Sequence, residues 1–410
     1  MEDRFYLGID LDDKYAVLSC YEVNKKEPET FSLVAGSQNY QIPVMLSKKQ
    51  GGGQWIIGEE KEAACVTDLF ARARRQETVT VWEESCPADE LFVIYLKKLF
   101  LLAGGIGSGR KPDLLVICVE TLLEQTAELF WRIAPALGFT KEQLHFIDRK
   151  ESFYYFAYHQ PAELCTHEVC LFDYHGGRMR CFGLIKRPHT TPKLVTMWEK
   201  ERQIESGDRD AAFFQFAKEC FQGRIVSSVY LTGDGFDGGW MQQSVGLLCQ
   251  GRRAFMGKNL YAKGACYAAA VRDGRQEWEY VYLGDHEMKL NVGLKVFVHG
   301  TAEFYTLIRA GVSWYEAKGS CEVLLDGSPE LSFWLQPPES RHAKVACLEL
   351  SDLPKRPNRT TRLRISAKAL SDERVQLRIR DLGFGEIFPG SGKVWEYVTS
   401  FAEEREGEDG

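Results

Sequence analysis

The fold of this chain is decided by residues 169–178, Val169-Cys170-Leu171-Phe172-Asp173-Tyr174-His175-Gly176-Gly177-Arg178. An apolar run ends in one carboxylate, Asp173, and a polar turn with two glycines leads into a second apolar run, 181–185. Two apolar runs joined by a glycine turn predict a β-hairpin. Glycine lets backbone N–H groups approach a ligand closely, and a concavity lined by N–H groups suits phosphate. The hairpin therefore predicts a site where Asp173 holds a metal ion or a water beside a phosphate.

The composition is that of a globular protein with two or three domains. The chain has 410 residues, of which 44% are hydrophobic and 27% are charged, and this permits a large buried core. The formal net charge of −7 argues against a protein that binds nucleic acid through counterion release. We therefore expect no nucleic-acid partner.

The cysteine pattern and the N-terminal residues predict a cytoplasmic protein. Twelve cysteines are present, but none forms a Cys-x-x-Cys pair and no Cys/His group has the spacing of a zinc site. Buried thiols in a reducing compartment are the expected interpretation. Met1-Glu2-Asp3-Arg4 is charged and leads directly into a strand, so we expect no signal peptide. Apolar runs of the length of a membrane helix do not occur, and we expect no membrane partner.

The first part of the chain has the pattern of an α/β domain. Residues 5–11 and 15–23 predict a hairpin, and a short helix is predicted over 59–64. Residues 114–119 are apolar at every position, as in a central strand covered on both faces. Strands and helices alternate over 114–159, which indicates helices packed over a sheet.

The later part of the chain changes from α/β to all-β. A strand over 226–231 leads into a glycine-rich turn, and residues 262–270 predict a helix of small residues that suits close helix contacts. From Lys289 onward, short strands alternate with turns, which predicts an all-β domain of about seven strands. Residues 403–410 are acidic and are expected to be disordered.

Three turns rich in Gly and Asp lie at matching places in the chain. Asp10 follows an apolar strand and precedes a hairpin turn, and Asp173 does the same in the second hairpin. Gly233-Asp234-Gly235 follows a third strand and precedes a helix. Two related hairpins that clasp phosphates from either side, with a glycine turn for the nucleoside, are the plan of the actin-like ATPase fold, which this arrangement resembles.

The resemblance extends to the DnaK-type (seventy-kilodalton heat-shock) chaperones. Leu7-Gly8-Ile9-Asp10-Leu11 resembles the first phosphate motif of that family, and Leu171-Phe172-Asp173 with Gly176-Gly177 resembles the second. Val229-Tyr230-Leu231-Thr232-Gly233 resembles the adenosine motif, and 362–366 resembles a strand of the substrate-binding β-sandwich. The resemblance covers most of the chain in order.

This resemblance implies a fold and a domain organisation. We expect an α/β actin-like ATPase (ribonuclease-H-like) nucleotide-binding domain over residues 1–285, with a reduced subdomain for closure over the nucleotide. An all-β sandwich domain is expected over 286–399 and an acidic disordered tail over 400–410. Since few residues follow the expected sandwich, we expect no helical lid of the kind that the family has.

The resemblance also implies site residues and cofactors. ATP or ADP with Mg²⁺ would be bound, with Asp10 and Asp173 holding the ion through water and, together with Glu151, serving as catalytic residues. The catalytic Glu of the family falls at Lys150 or Glu151 in this sequence, and Glu151 is the choice that fits the chemistry. The implied nucleotide contacts are Asp12, Asp13, Lys14, His175, Gly176, Gly177, Arg178, Gly233, Asp234, Gly235 and Lys263.

Several positions depart from the pattern of the family. The first motif continues Gly-Thr-Thr in the family, whereas Asp12-Asp13-Lys14 stands here, and two added carboxylates repel phosphate unless a cation intervenes. In the second motif, His175 replaces a Gly and Arg178 replaces a Thr. The phosphate-side Lys of the family falls near Arg72–Arg75, where its counterpart cannot be fixed.

Three functions are compatible with these observations. The first is a divergent DnaK-like protein that binds ATP, hydrolyses it weakly or not at all, and couples the cleft to a β-sandwich that binds a protein or peptide partner. The second is a pseudo-ATPase scaffold that uses no nucleotide, which the altered phosphate loops favour. The third is a small-molecule kinase of the same fold, and a polymerising actin homologue is a further alternative. The sequence does not indicate whether a co-chaperone-type regulator exists.

Overall fold

The chain divides into two compact units. The computed structural model describes residues 4–400 except 35, 38, 104–110, 188–189, 191, 205–206, 275–276 and 341. The first unit comprises Met1–Ile185 and Met197–Trp278, and the second comprises Lys186–Thr196 and Glu279–Gly410. The division near residue 278 lies close to the predicted boundary at 285, whereas the short segment that joins the second unit was not expected. The predicted acidic tail lies outside the described residues.

The described residues form helices and strands throughout the chain. The helices are α1 (Leu69–Arg74), α2 (Ala88–Leu101), α3 (Glu124–Leu137), α4 (Arg149–Tyr158), α5 (Arg209–Phe221), α6 (Gln243–Cys249) and α7 (Leu260–Arg272). The strands of the first half are β1 (Phe5–Leu11), β2 (Tyr15–Glu22), β3 (Glu29–Thr30), β4 (Ile42–Pro43), β5 (Leu46–Lys49), β6 (Ile56–Ile57), β7 (Ala63–Val66), β8 (Thr78–Val81), β9 (Glu84–Pro87), β10 (Leu114–Val119), β11 (Leu144–Asp148), β12 (Glu168–His175) and β13 (Arg178–Arg187). The remaining strands are β14 (Lys193–Gln203), β15 (Val226–Thr232), β16 (Arg253–Met256), β17 (Tyr280–Tyr282), β18 (Asn291–Val298), β19 (Thr301–Ile308), β20 (Lys318–Leu324), β21 (Glu330–Gln336), β22 (Lys344–Glu349), β23 (Arg362–Ala369), β24 (Arg374–Phe384), β25 (Phe388–Pro389) and β26 (Val394–Ser400). Among these elements, no helix is both long and apolar enough to cross a membrane.

Two mixed sheets of the first unit have the same strand order. In the first sheet the order is β11-β10-β1-β2-β3, with β1 antiparallel to β2 and parallel to β10. In the second sheet the order is β16-β15-β12-β13-β14, with β12 antiparallel to β13 and parallel to β15. The beginning of β14, which belongs to the second unit, also pairs with β17. One arrangement of strands therefore occurs twice, and the hairpins β1–β2 and β12–β13 are equivalent.

Close helix packing brings the two repeats together. The hydroxyl of Ser152 in α4 donates to the carbonyl of Tyr261 at the start of α7, at 2.6 Å. A Cβ atom at Gly264 would lie 2.2 Å from the carbonyl oxygen of Ser152, and one at Gly8 would lie 2.4 Å from that of Ala262. Such approaches require residues without a side chain. The prediction that the helix of small residues makes close contacts is thus confirmed.

Some local predictions are wrong. The helix expected over 59–64 does not form, because Glu62 has a left-handed φ of 59° and Ala63–Val66 pairs with β5 as strand β7. A left-handed residue cannot continue a right-handed helix. Strand β3 is short and covers only Glu29–Thr30. The stretch at 193–203, for which no element was predicted, forms the long strand β14.

The second unit contains two sheets that share one apolar core, as predicted from the alternating pattern. One sheet has the order β19-β18-β21-β22, and the other has the order β20-β23-β24-β25 with β26 also on β24. Alternate residues of each strand point into the core. The buried side chains include Val292, Leu294, Phe333, Leu335, Leu363, Ile365, Val375, Leu377 and Ile379. The seven predicted strands correspond to β18–β24, and β25 and β26 were missed.

Candidate functional site

Two buried carboxylates lie at equivalent places in the two repeats. Asp10 is near the end of β1 and pairs in register with Cys118 of the parallel strand β10. Asp173 is near the end of β12 and pairs in register with Thr232 of the parallel strand β15. The exposed fraction is 8% for Asp10 and 1% for Asp173. Both carboxylates must therefore be neutralised or hydrogen bonded to remain charged.

One cleft in the first unit is lined by residues of both repeats. Its lining comprises Asp10, Asp12, Tyr15, Val17, Gln41, Arg149, His175, Thr232, Gly233, Lys258 and Tyr261. The concavity measures about 420 Å³ when the open solvent in front of it is included, but the space left between the side chains is only about 30 Å³. A water needs roughly 10–15 Å³ by this measure. The enclosed space therefore holds about two waters.

A guanidinium group lines the cleft and binds Asp10 there. Arg149, the first residue of α4, places Nε 2.9 Å from Oδ1 and Nη2 3.2 Å from Oδ2 of Asp10. Its Nη2 also lies 3.6 Å from Oδ2 of Asp12, and the guanidinium carbon is 5.1 Å from the centre of the Tyr261 ring. Both oxygens of Asp10 thus bind the same buried arginine in a bidentate ion pair.

The electrostatics of this pair follow from its burial. Burial raises the pKa of Asp10 above its ordinary value, and the charge and hydrogen bonds of Arg149 offset part of this rise. Burial also disfavours the charge of Arg149, but the attraction of Asp10 outweighs it and raises the pKa of Arg149. Arg149 therefore stays charged at every physiological pH, and its charge compensates Asp10.

Asp173 is held by three different side chains. Arg180 places Nη2 3.2 Å from Oδ2, and the hydroxyl of Tyr261 donates to the same oxygen at 2.8 Å. Nε2 of His175 lies 3.1 Å from Oδ1 in an ionic contact that lacks the geometry of a full hydrogen bond. Burial would raise the pKa of Asp173, but the contacts with His175 and the neighbouring arginines lower it below its ordinary value.

The same groups extend this network towards other strands. Nη1 of Arg180 lies 2.9 Å from Oε1 of Glu120, which follows β10. Nδ1 of His175 lies 2.8 Å from Oδ1 of Asp234. Contact with Asp173 raises the pKa of His175, although burial acts in the opposite direction. The two carboxylates at the strand ends are thus neutralised by side chains of the chain itself.

The first hairpin turn is closed by its own residues. Oδ1 of Asp12 accepts hydrogen bonds from the backbone N–H groups of Lys14 and Tyr15, each at 2.7 Å. Asp13 pairs with Arg74 at 2.7 Å. Arg74 belongs to the cluster Arg72–Arg75, near which the phosphate-side Lys of the family falls. The N–H groups that would cradle a phosphate are therefore directed to Asp12.

The second hairpin turn is a tight two-residue turn. Gly176 and Gly177 have φ values of 55° and 79° and connect His175 to Arg178, which pair in register. Two successive positive φ values are typical of a type I′ turn, which glycine adopts without strain. Nε of Arg178 lies 3.0 Å from Oε2 of Glu201, so its side chain is directed to a neighbouring strand.

The third turn contains glycines that packing requires. A Cβ atom at Gly233 would lie 2.3 Å from the carbonyl oxygen of Tyr174, and one at Gly235 would lie 2.4 Å from the Tyr174 ring. Gly233 also has a φ of 106°. Asp234 contacts His175, as described above, and Asp237 pairs with Lys258 at 2.6 Å. These glycines are therefore explained by the packing of the turn against β12.

Glu151 and Lys263 are among the predicted residues that do not line the cleft. Glu151 is buried, and its Oε1 accepts a hydrogen bond from Arg272 at 3.1 Å. Its backbone N–H donates at 2.7 Å to Oδ1 of Asp148, whose side chain caps α4. Lys263 pairs with Glu27 at 2.9 Å. Of the predicted residues, Asp10, Asp12, His175 and Gly233 thus line the cleft, and His175 contacts Asp173, whereas Glu151 and Lys263 bind other side chains.

The sequence interpretation missed the cations of the cleft, although signals for two of them were present. A two-residue turn at Gly176-Gly177 pairs His175 with Arg178, and two residues further along each strand Asp173 is then directly opposite Arg180. Arg149 directly follows the strand β11, which lies beside β10 in parallel. Parallel strands end at the same edge of a sheet, so a residue after β11 lies near Asp10.

The residues of the cleft do not fit a magnesium–nucleotide complex. Both oxygens of Asp10 bind Arg149, and Oδ2 of Asp173 binds Arg180 and Tyr261. Among the described residues, no group of three or more His, Cys, Asp or Glu side chains is arranged to hold a metal ion. Sites for small ligands typically measure roughly 300–1,000 Å³, which the enclosed space of the cleft does not approach.

Comparison with known proteins places the chain in a family without assigning an activity. No curated protein matches it. Residues 287–401 match a domain of unknown function (DUF8552), which corresponds closely to the all-β unit. Residues 27–285, more than half of the chain, match the C-terminal part of a family of unknown function (DUF5716). The chain therefore belongs to the DUF5716 family.

Proposed function

We propose that this chain is a protein-binding scaffold built on an actin-like body whose cleft works without nucleotide. The observation that carries the proposal is the bidentate contact of Arg149 with Asp10, two residues that line the cleft. A guanidinium at this place supplies the positive charge that a bound cation would otherwise provide. The partner is bound by the β-rich second unit.

The repeated strand order supports the actin-like fold. The sheets β11-β10-β1-β2-β3 and β16-β15-β12-β13-β14 are alike, and their equivalent hairpins carry Asp10 and Asp173. Two related hairpins that face one cleft agree with the plan of the fold that the sequence resembles. Fold alone is a limited argument for function, and for this reason the proposal depends on the side chains in the cleft.

The energetics of the cleft favour the guanidinium of Arg149, which we call the resident cation, over a bound metal ion as the partner of Asp10. A buried carboxylate without a partner is costly, and removal of one member of a buried ion pair typically costs about 3–5 kcal/mol. A nucleotide would have to displace Arg149 from Asp10 and leave this arginine without its partner. Its phosphates would also face Asp12 and Asp234, which repel them. These terms oppose binding of ATP even where the backbone resembles a nucleotide site.

An exposed apolar surface supports the assignment of a protein partner to the second unit. The outward side chains of β18 and β19 include Phe297, which is 77% exposed, and Phe304, which is 42% exposed. On the same outer face, Nζ of Lys295 lies 3.9 Å from the centre of the Trp334 ring. Exposed aromatic side chains on a sheet favour binding of an extended partner segment.

The experiment that tests the proposal is thermal unfolding with Mg²⁺–ATP or Mg²⁺–ADP. We expect no change in the melting temperature of the wild-type chain at millimolar nucleotide. A ligand at a hundred times its Kd would stabilise the folded state by about 2.7 kcal/mol, which a melting curve detects readily. A shift that disappears in the variant Asp10→Ala/Asp173→Ala would overturn the proposal in favour of a nucleotide-binding DnaK-like protein.

A variant of the resident cation sharpens the same experiment. Arg149→Ala removes the guanidinium and leaves Asp10 and Asp12 uncompensated. We expect Mg²⁺ alone to stabilise this variant and not the wild-type chain, because a divalent cation then neutralises the carboxylates. A response to Mg²⁺ that is equal in the two proteins would show that Arg149 does not replace a cation.

The partner-binding part is tested separately. A labelled extended peptide of alternating Leu and Thr is titrated with the wild-type chain and with Phe297→Ser/Phe304→Ser, and anisotropy is measured. We expect the variant to bind at least about tenfold more weakly, because it loses two exposed aromatic contacts. The matched control is Phe384→Ser/Ile387→Ser, which removes two exposed apolar side chains of another hairpin. Equal loss in the control would contradict the assignment.

A further inference from the structure

The outer face of the second sheet of the sandwich is strongly basic. On β23, the outward side chains include Arg362, Arg364 and Lys368, while the residues between them are buried in the core. These three cations are exposed. Alternation of charged and apolar residues is normal for a strand with one solvated face, but here the outward charges of the strand are all positive.

The neighbouring strand continues the same pattern. The outward side chains of β24 include Arg374, Arg378 and Arg380, all exposed. On the other side of β23, Lys318 at the start of β20 is outward and exposed. We call these seven cations and the strands that carry them the basic face.

Like charges stand directly opposite each other on the basic face. Arg364 pairs in register with Arg380, and Lys318 pairs in register with Lys368. Like charges directly opposite on one face of a sheet destabilise it. Two such pairs in a chain with a net charge of −7 indicate that the face is shaped by something other than its own stability.

Carboxylates of the same face neutralise only part of this charge. Glu322 on β20 pairs with Arg364 at 2.7 Å and lies 3.6 Å from Arg362. Glu396 on β26 pairs with Arg378 at 3.2 Å. Seven cations thus face two outward carboxylates on these strands, which leaves an excess of five positive charges.

We propose that the basic face binds an extended acidic segment of a partner protein. Alternate residues of a strand are about 6.8 Å apart and neighbouring strands are about 4.8 Å apart, so the face presents a regular grid of cations. An extended segment with Glu or Asp at alternate positions has the same period along its length. Arginine and lysine on the grid bind carboxylates through charge-assisted hydrogen bonds.

The features of the face favour an acidic protein segment over nucleic acid. Binding of single-stranded nucleic acid generally combines cations with exposed aromatic side chains on which bases stack. Among the outward positions of β20, β23, β24 and β26, the structure places one aromatic residue, Phe384, which ends β24 after the last cation of that strand. Exposed Leu324, Val394 and Val398 lie among the charges instead, and they suit a segment that contains apolar residues beside its carboxylates.

The interaction is distinct from the proposed binding of an apolar segment. That segment uses Phe297 and Phe304 on the outer face of the other sheet, β19-β18-β21-β22. Loss of one interaction therefore leaves the other unchanged. A nucleotide-binding cleft in the first unit would also leave the basic face as it is.

The test uses the full chain and a labelled peptide in which Glu and Ser alternate, with anisotropy measured as salt is raised. We expect binding at low ionic strength that weakens with salt, because exposed charges are screened. The variant Lys368→Gln/Arg374→Gln/Arg380→Gln should bind about tenfold more weakly. This variant removes repelling cations, so it should remain folded, and its melting temperature is recorded to show this.

A control variant removes the same number of charges from the first unit. Arg75→Gln/Lys97→Gln/Arg253→Gln neutralises three exposed cations there and is expected to bind the peptide as the wild type does. Equal loss in both variants would show attraction by net charge alone and overturn the proposal. Failure of the wild type to bind at low salt would also overturn it.

Two further probes separate the alternatives. The peptide with Gln in place of Glu should not bind, because recognition depends on the carboxylates. A single-stranded oligonucleotide of equal charge should bind more weakly than the Glu peptide, since Phe384 at the end of β24 is a single stacking partner and no row of aromatic side chains accompanies the seven cations. Tighter binding of the oligonucleotide, lost in the variant of the basic face, would assign the face to nucleic acid and not to protein.

Discussion

The cleft of the first unit and the basic face of the second differ in how far their charges are neutralised by neighbouring side chains. In the cleft, Asp10 binds Arg149 through both oxygens, and Asp173 contacts Arg180 and His175. On the basic face, cations stand opposite cations and two carboxylates are shared among seven. The ion pairs of the cleft are satisfied within the chain and contribute to folding. The excess positive charge of the basic face lowers stability and is available to bind a partner.

The second unit also contains a fully compensated charge, so the basic face is not a general property of that unit. Asp381 on β24 binds Arg356, with Oδ2 at 2.8 Å from Nη2. Its carboxylate also accepts hydrogen bonds from the N–H groups of Gly383 and Ser391, each at 2.9 Å. Burial would raise the pKa of Asp381, but these contacts lower it well below its ordinary value. The unit thus pairs a buried charge closely, whereas the two outward carboxylates of the basic face neutralise only part of its exposed charge.

The largest effect is expected where a compensated charge loses its partner. Arg149→Met should lower the free energy of unfolding of the first unit by about 3 kcal/mol, because Asp10 is then buried without a counter-charge. Arg356→Met should have a similar effect on the second unit, since Asp381 loses its bidentate partner. Hydrogen exchange of each unit, followed by mass spectrometry, measures the two effects separately.

A double variant distinguishes compensation from packing. Asp10→Asn/Arg149→Met removes both charges, and we expect it to recover most of the stability that Arg149→Met loses. If the double variant is no more stable than Arg149→Met, the arginine acts through the packing of its side chain against Tyr261 and not through Asp10. The cleft could then no longer be described as a place where Arg149 compensates the charge of Asp10.

An intermediate effect is expected from pH through His175. Its pKa is raised in the folded state, chiefly by Asp173, so its contribution to stability is complete below the unfolded pKa of about 6.5. This contribution is lost as the pH rises through the folded pKa. The melting temperature of the wild type should therefore exceed that of His175→Gln at mildly acid pH. The two melting temperatures should become equal at alkaline pH. The effect should be smaller than that of Arg149, because His175 is 41% exposed and solvent screens its charge.

The opposite pH dependence would contradict this description of the site. If the difference between wild type and His175→Gln grew with pH, neutral His175 would be the stabilising form. Contact with Asp234 and Asp173 would then be incidental to stability. Melting temperatures recorded in buffers of constant ionic strength decide between the two, since screening changes with salt.

Some of this arrangement could be predicted from the sequence because it depends on local pattern. The hairpins that carry Asp10 and Asp173 follow from apolar runs joined by short turns, and their equivalent places indicated one shared cleft. Arg149 directly follows β11, which was a signal, but it was missed because only the parallel pairing of β11 with β10 places it beside Asp10. The helix predicted over 59–64 was wrong because Glu62 has a left-handed φ and Ala63–Val66 pairs with β5, neither of which the local pattern indicated.

The basic face illustrates the same limit on prediction. The alternation of cations along 362–368 and along 374–380 is readable in the sequence, and it indicates that each strand has one solvated side. Only the register between β23 and β24 reveals that Arg364 stands opposite Arg380. The repulsion that makes the face informative is therefore a property of strand pairing and not of either strand alone.

The smallest effects are expected on the basic face, and they differ in sign. Arg380→Gln removes one member of a like-charge pair, so it should raise the free energy of unfolding by roughly 0.2–1 kcal/mol. Arg378→Gln breaks the contact with Glu396 at 3.2 Å and should lower it by a similar or smaller amount. Urea unfolding at low and high salt measures both, and the difference between the variants should shrink as salt screens the charges. Equal destabilisation by both variants would mean that Arg380 stabilises the sheet, and the excess charge of the face would then not be kept at a cost.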